Sequence, residues 1–145
     1  MILKIKKLSE DAVIPEKAHK TDAGFDLTAI SKKVEASYIE YDTGISIEIP
    51  EGYVGKVYCR SSISKKDLVL CNGVGIIDSG YTGSIKFRFK IINPENKQRW
   101  ALETYEVGDK IGQIIIEKLL DVEFTVVEEL GQSDRGSNGF GSSGV

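Results

Sequence analysis

Histidine and cysteine are scarce in this sequence. His19 is the only histidine, and the two cysteines, Cys59 and Cys71, are far apart and not in a C-x-x-C spacing. Cysteine-based metal and redox centres need several such residues at short spacing, so we expect two buried free thiols and no such centre. No run approaches the roughly 20 apolar residues of a membrane span, and the N-terminal segment lacks a signal peptide's apolar core. We therefore expect a cytoplasmic protein that does not contact membranes.

An excess of positive charge is also absent. The chain has 19 Lys and Arg against 22 Asp and Glu, which gives a net charge of −3. Sequence-independent binding to nucleic acid needs a basic face that releases counterions, so we expect no nucleic-acid partner. An anionic ligand would have to be met by a few local cations. The length of 145 residues, with 41% hydrophobic and 28% charged residues, is typical of one globular domain.

Short apolar runs with a period of two are the main pattern in the chain. Ile45, Ile47 and Ile49 alternate with polar residues, as in a half-buried strand. Further strands are predicted at residues 2–6, 24–29, 53–59, 68–71, 85–92, 111–119 and 122–127, and one short helix at 61–67. Turn residues separate these runs at roughly ten-residue spacing, which predicts an all-β sandwich or barrel.

Residues 131–145 differ in composition from the rest of the chain. They include five glycines and four serines, together with one arginine, Arg135, and one aromatic residue, Phe140. Such a segment cannot bury a core, so it is expected to be disordered on its own. It is either an inert linker or a segment that orders on a nucleotide, with Arg135 on phosphate oxygens and Phe140 stacked on a base.

The segment of residues 72–83 carries an unusual set of polar and aromatic residues. An apolar run turns at Asp78 and leaves through Tyr81, with glycines on both sides. One interpretation is a plain hairpin in which Asp78 starts the turn. The other is a nucleoside pocket, in which glycines let a ligand approach the backbone and Tyr81 packs on a sugar.

Three other positions also have an ordinary and a functional interpretation. Arg60-Ser61-Ser62 leads into the predicted helix, so its serines either cap the helix or bind an anion at its start. Gln113 is either a solvent-facing strand residue or a donor to phosphate. Asp26 is either a satisfied carboxylate at a sheet edge or the ion-pair partner of an active-site arginine.

In their order and spacing these segments resemble the five motifs of the homotrimeric dUTP pyrophosphatase (dUTPase) family, over nearly the whole chain. The matching segments are residues 23–27, 60–62, 72–83, 108–113 and, in the tail, 135–136 with 139–142. The resemblance implies a jelly-roll-like β-sandwich or barrel in residues 1–130, with a tail at 131–145 that closes over the nucleotide. It also implies hydrolysis of dUTP to dUMP and pyrophosphate, which limits uracil in DNA and supplies dUMP for thymidylate synthesis. Active sites would be shared between the subunits of a homotrimer.

The resemblance also implies a role for each candidate residue. Asp78 would orient and activate the attacking water, and Tyr81 would pack under the deoxyribose and exclude a 2′-hydroxyl. The uracil edge would be read by the Asn72 side chain and by the backbone around Gly75 and Ile77. Further contacts, mostly to the phosphates and to the base through Phe140, are assigned to Arg60, Ser61, Ser62, Lys86, Gln113, Arg135, Phe140, Gly141, Ser142 and Ser143. Asp26 would support the site, and Mg²⁺ would be held by the triphosphate and water, without a direct protein ligand.

Several residues depart from the usual family motifs, and two other functions stay open. The departures are Cys59, Ser62, Gly80, Asn138 and Ser143. A dCTP deaminase would share the fold and much of the pocket, but it does not use a glycine-rich aromatic tail. A regulatory protein that binds a nucleotide on the same scaffold is the second alternative.

Overall fold

The computed structural model describes residues 1–92 and 104–138, which form short strands joined by turns. The strands are β1 (Lys4–Lys7), β2 (Phe25–Thr28), β3 (Ser31–Val34), β4 (Ile39–Asp42), β5 (Ile45–Glu48), β6 (Tyr53–Tyr58), β7 (Leu68–Leu70), β8 (Gly75–Ile77), β9 (Lys86–Ile91) and β10 (Lys110–Lys118). A single 3-10 helix, Ser61–Lys65, lies between β6 and β7 in this part of the chain. None of the described helical segments is long and apolar enough to cross a membrane.

Two four-stranded antiparallel sheets form the body of the protein. Their strand orders are β2-β10-β6-β8 and β3-β4-β9-β7, and β1 pairs with β5 in a separate two-stranded ribbon. Buried apolar residues from both sheets form one core, with Leu27 and Ile114 from the first sheet and Tyr41 and Phe89 from the second. The predicted all-β sandwich is therefore confirmed.

Packing between the sheets explains why residue 112 is a glycine. A Cβ on Gly112 would overlap the Phe87 ring and lie 2.8 Å from the carbonyl oxygen of Tyr58. Phe87 cannot easily move, because it is fully buried and stacked on Phe89 with 6.1 Å between ring centroids. Gly112 thus lets β10 lie close to the core and fixes the position of the next residue, Gln113.

Two parts of the strand prediction differ from the structure. Strands β3 and β4 were not predicted, although Ile39 and Tyr41 in β4 alternate with polar residues and are buried. Residues 122–127 were predicted to form a strand, but they have no regular structure and their side chains are exposed. A strand needs a partner for its backbone groups, and no described part of the same chain pairs with these residues.

The short helix and the cysteines also need correction. The helix is a five-residue 3-10 turn that ends at Lys65, and its N-cap residue is Arg60, without a side-chain capping bond. Ser61 therefore does not cap it. Both thiols are free, but Cys71 is exposed and Cys59 is half-buried, so neither is the fully buried thiol that was expected.

Candidate active site

Strand β8 and the turn before it place Asn72 and Asp78 at the two ends of one short segment. β8 pairs with β6, with Gly75 opposite Val57. A Cβ on Gly75 would overlap the Val57 side chain and lie 3.3 Å from the Asn72 amide nitrogen. Glycine is needed at two positions of this segment. Gly73 has a positive φ of 66°, and Gly75 lies against the side chains of Val57 and Asn72. Asp78 follows β8 directly and is exposed.

A cavity of about 450 Å³ opens beside this segment. Its lining residues are Val57, Leu70, Cys71, Asn72, Ile77, Tyr81, Ser84, Lys86 and Arg88. The volume lies within the roughly 300–1,000 Å³ of small-molecule sites. Four of the predicted residues therefore line one cavity: Asn72, Ile77, Tyr81 and Lys86. Ser84 and Arg88 were not predicted. The sequence does contain a signal for Arg88, because Lys86 and Arg88 alternate with buried phenylalanines and so lie on the same face of β9.

The Tyr81 side chain is held against its own loop. Its hydroxyl donates to the carbonyl oxygen of Ser84 at 2.9 Å, and its backbone N–H donates to the carbonyl of Asp78 at 3.0 Å. A Cβ on Gly83 would lie 2.5 Å from the Tyr81 hydroxyl oxygen, so a larger residue there would displace the ring. Tyr81 is 43% exposed and lines the cavity, so it can contact a ligand there.

Glu40 of β4 binds the two cations that line the cavity. One carboxylate oxygen is 3.1 Å from Lys86 Nζ and the other is 2.7 Å from Arg88 Nη2. Burial alone would raise the pKa of Glu40, but the hydrogen bonds from Arg88 and Lys86 outweigh it and lower the pKa below its usual value. The hydrogen bond to Glu40 likewise raises the pKa of Lys86. Lys86 therefore presents a positive charge at the cavity.

A second group of predicted residues meets where β2, β10 and β6 lie side by side. Gln113 of β10 is paired with Asp26 on one side and with Tyr58 on the other. Asp26 Oδ1 is 3.0 Å from Arg60 Nε, and Oδ2 is 2.8 Å from Lys110 Nζ. Of the two interpretations left open for Asp26, the structure shows the ion pair with an arginine. Lys110 was not predicted as a site residue, although it lies within the segment of the fourth motif, residues 108–113.

The Gln113 side chain is directed by its neighbours. Its Nε2 donates to the carbonyl oxygen of Cys59 at 3.2 Å, next to Arg60. A Cβ on Gly24 would overlap the Gln113 amide oxygen, so the glycine of the first motif makes room for the glutamine of the fourth. Ser61 is exposed and Ser62 is half-buried in the adjoining 3-10 turn. Three sequence motifs therefore meet in one cluster of polar side chains.

The described part of the tail does not pack on the body. Every residue from 118 to 138 is exposed, and Arg135 Nε donates to the carbonyl oxygen of nearby Asn138 at 3.0 Å. Arg135 is therefore available to a ligand or a neighbouring chain. The predicted contacts of Phe140, Gly141, Ser142 and Ser143 lie outside the described residues.

The described carboxylates do not form an all-protein metal site. Within residues 1–92 and 104–138, no three His, Cys, Asp or Glu side chains are grouped to hold an ion. Both oxygens of Asp26 already bind cations. Because both of its oxygens are engaged by cations, Asp26 does not fit as a direct ligand of a metal ion.

Comparison with known proteins matches nearly the whole chain to dUTPases. The family model for dUTPase matches residues 10–144. The deoxyuridine 5′-triphosphate nucleotidohydrolase of Clostridium acetobutylicum is 38% identical over 99% of this chain and 97% of its own length, and that of Clostridioides difficile is 40% identical over 98% and 97%. Among solved structures, the dUTPase of Staphylococcus bacteriophage 80alpha with dUPNHPP has a TM-score of 0.83 at 33% identity over 99% of both chains. A mutant dUTPase from phage phi11 of S. aureus, described with a structural Mg(II) ion, has a TM-score of 0.72 at 30% identity over 89% of this chain and 98% of that one.

Proposed function

This chain belongs to the dUTPase family, and from that premise we propose how its residues carry out the reaction. The protein is a dUTP diphosphatase that hydrolyses dUTP to dUMP and pyrophosphate. The observation that carries the proposed mechanism is the cavity lined by Asn72, Tyr81 and Lys86, with Asp78 directly after the lining residue Ile77 in the chain. Because its substrate belongs to the free deoxynucleotide pool, we place its action in the cytoplasm.

The nucleoside occupies the cavity between β8 and the Tyr81 loop. The Asn72 amide and the backbone groups near Gly75 and Ile77 supply donors and acceptors for the uracil edge. The Tyr81 ring packs under the deoxyribose, because its exposed side faces the cavity while its hydroxyl is bonded to Ser84. A ribose 2′-hydroxyl on that side would meet the ring and lose its hydration without gaining a partner.

Asp78 positions the water that attacks the α-phosphorus. It follows β8 directly, and its carbonyl is fixed by the Tyr81 N–H, so its side chain starts from a fixed point beside the cavity. Its exposed carboxylate accepts hydrogen bonds from water, but carboxylates are weak bases, so orientation of the nucleophile is its main contribution. Water attacks the α-phosphorus, the bond to the bridging oxygen breaks, and pyrophosphate leaves with that oxygen.

Cations from several elements neutralise the triphosphate. Lys86 lies near the sugar and α-phosphate, while Arg60, Ser61, Ser62 and Gln113 contact the phosphates from the second polar cluster. Arg135 and the tail residues Phe140, Gly141, Ser142 and Ser143 close over the nucleotide. Mg²⁺ on the triphosphate would add charge neutralisation and orient the phosphates.

We place this chain in a homotrimer with shared active sites, and the surface of the described residues supports self-association. Val122, Phe124 and Val126 are 59%, 96% and 99% exposed, which is costly for apolar residues in water. Their alternation with polar residues suits a strand that pairs with another subunit. The same chain has an apolar groove of about 250 Å³, whose lining residues include Met1, Leu3, Ile5, Ile14, Phe25, Ile47, Ile114 and Ile116. Both features would be covered in an assembly.

Nucleotide turnover tests this function directly. The protein is incubated with dUTP, dTTP, UTP and dCTP in the presence of Mg²⁺, and pyrophosphate and ammonia are measured. We expect pyrophosphate from dUTP, little from dTTP or UTP, and no ammonia from dCTP. Ammonia release from dCTP would favour a deaminase instead, and turnover of UTP equal to that of dUTP would contradict the role of Tyr81.

A further inference from the structure

The loop that carries Tyr81 is anchored to a corner of the fold that contains none of the five motifs. This corner is the β4–β5 turn and the start of β5. We propose that Ser46 and the Asp42–Ser84 pair are positioning residues that hold Tyr81 in place for discrimination between deoxyribose and ribose. The inference rests on the proposed contact of Tyr81 with the sugar.

Ser46 fixes the loop on one side of Tyr81. Its hydroxyl donates to the carbonyl oxygen of Thr82 at 2.8 Å, and the residue is only 7% exposed. It lies in β5 between two buried isoleucines, where a hydroxyl without a partner would cost free energy. The bond to Thr82 supplies that partner, so the buried serine and the loop carbonyl hold each other.

Asp42 and Ser84 fix the loop on the other side. The Ser84 hydroxyl donates to Asp42 Oδ1, which also accepts the Gly44 N–H at 2.8 Å. The carbonyl oxygen of the same Ser84 accepts the Tyr81 hydroxyl. The tyrosine is thus bonded to a residue that is itself bonded to the body of the protein.

Together these bonds define where the ring can lie. Residues 82 and 84 are both anchored to the corner, and Gly83 between them leaves room for the Tyr81 ring. If either anchor were lost, the loop and the ring could move away from the cavity. A ribose differs from a deoxyribose by one hydroxyl, so a displacement of about 1 Å would be enough to admit it.

The two anchors come from distant parts of the sequence. Ser46 is 36 residues from Thr82, and Asp42 is 42 residues from Ser84. The antiparallel pairing of β4 with β9 places Asp42 opposite Lys86, close to Ser84 in the chain, and the Ile85 N–H donates to the carbonyl of Ile45, next to Ser46, at 2.9 Å. A motif search confined to the Tyr81 segment would not find them.

The test is the ratio of kcat/KM for dUTP to that for UTP in four variants. Ser46→Ala and Ser84→Ala each remove one anchor, Tyr81→Ala removes the ring, and Ser46→Thr keeps a hydroxyl at the buried position. We expect the ratio to fall about tenfold in both serine-to-alanine variants and further in Tyr81→Ala, with Ser46→Thr close to the parent. The matched control is Ser37→Ala in the exposed turn between β3 and β4, which should leave the ratio unchanged.

The outcomes separate this inference from the proposed role of Tyr81. A fall in Tyr81→Ala without a fall in Ser46→Ala and Ser84→Ala would overturn the anchoring but keep the tyrosine contact. An unchanged ratio in Tyr81→Ala would overturn both. An equal loss of kcat/KM for the two nucleotides in Ser46→Ala would mean that this serine only supports the fold. Because Ser84 is half-exposed, Ser84→Ala keeps the inference testable if Ser46→Ala does not fold.

Discussion

Asp26 Oδ1 lies 3.0 Å from Arg60 Nε and joins the first predicted motif to the second. The Asp26 side chain is only 14% exposed, so the guanidinium is held by a carboxylate that water reaches poorly. An arginine fixed at one nitrogen keeps its other donors free for a phosphate. The ion pair therefore positions the Arg60 guanidinium and leaves its other N–H groups to bind a phosphate.

Removing the charge of Asp26 should affect both stability and substrate binding. Asp26→Asn weakens the contacts to Arg60 and Lys110, and we expect a loss of about 1–3 kcal/mol of unfolding free energy together with a raised KM for dUTP. Urea denaturation and steady-state kinetics measure the two effects. The control is Glu48→Gln, whose partner Lys4 is 81% exposed, and which should cost less than about 1 kcal/mol. Equal losses in the two variants would contradict a special role for Asp26.

Asp78→Asn tests the placement of the attacking water. The amide keeps the size of the carboxylate but is a poorer acceptor, so we expect kcat to fall by about 100-fold or more while the Kd for dUPNHPP stays near that of the parent. Single-turnover kinetics and calorimetric titration give the two values. Asp11→Asn, at another exposed aspartate, should leave both unchanged. If Asp78→Asn kept full kcat, Asp78 would have no part in the mechanism.

The sequence predicted strands that have a buried face better than it predicted exposed edge strands. Strand β9 alternates clearly, because Phe87 and Phe89 are buried while Lys86, Arg88 and Lys90 are exposed. Strand β5 alternates in sequence only, since Ser46 is buried together with its isoleucine neighbours. Strand β3 reads Ser-Lys-Lys-Val and is largely exposed, so its pattern carries no burial signal and only pairing with β4 defines it. Residues 122–127 show the converse, since alternation alone does not create a strand without a partner.

For the site, the sequence predicted residue types but not their contacts. The motif order identified Asp26 and Arg60, and a salt bridge between them was one of two interpretations left open. Glu40, Lys110 and Arg88 were not found, because each acts through a partner at least 46 residues away in the sequence. Such pairs become visible only when the strand register is known.

The buried phenol of Tyr41 predicts a loss of stability at alkaline pH. Burial raises the pKa of Tyr41 from 10.0 to about 12. The folded state therefore favours the neutral phenol, and this contribution is complete below pH about 10 and is lost as the pH rises towards about 12. Between pH 8 and pH 11, we expect the parent to lose about 1 kcal/mol more unfolding free energy than Tyr41→Phe, which has no group to ionise. Equal losses in urea titrations at the two pH values would contradict this.

A chain that ends at Leu130 should fold normally but fail in catalysis. Residues 131–138 are exposed and make no packing contacts with the described core, so we expect the melting temperature to change by no more than a few degrees. Turnover of dUTP should fall strongly, because Arg135 and the following residues no longer close over the triphosphate. In the intact chain Arg135→Gln should lower kcat/KM, whereas Asp134→Asn, its exposed neighbour, should not. A large fall in melting temperature would make the tail a structural element.

Complementation between two inactive variants tests whether active sites are shared. A glycine- and serine-rich segment of the tail's length has a root-mean-square span of about 20 Å, which is enough to reach a neighbouring subunit. One variant carries Asp78→Asn with its own tail, and the other keeps Asp78 but ends at Leu130. The two are unfolded together at equal concentration and refolded, and mixed trimers are verified by mass before dUTP turnover is measured.

The expected activity follows from random assembly of a closed ring. If Asp78 and the tail at one site come from different chains, each is intact with a probability of about one half, so about a quarter of the sites have both. If the tail served its own chain, every site would lack one of the two, and mixing would restore nothing. Recovery towards a quarter of the parent's turnover therefore supports a shared site. Verified mixed trimers without recovery would refute it, and the exposed segment of residues 122–127 would then need another explanation.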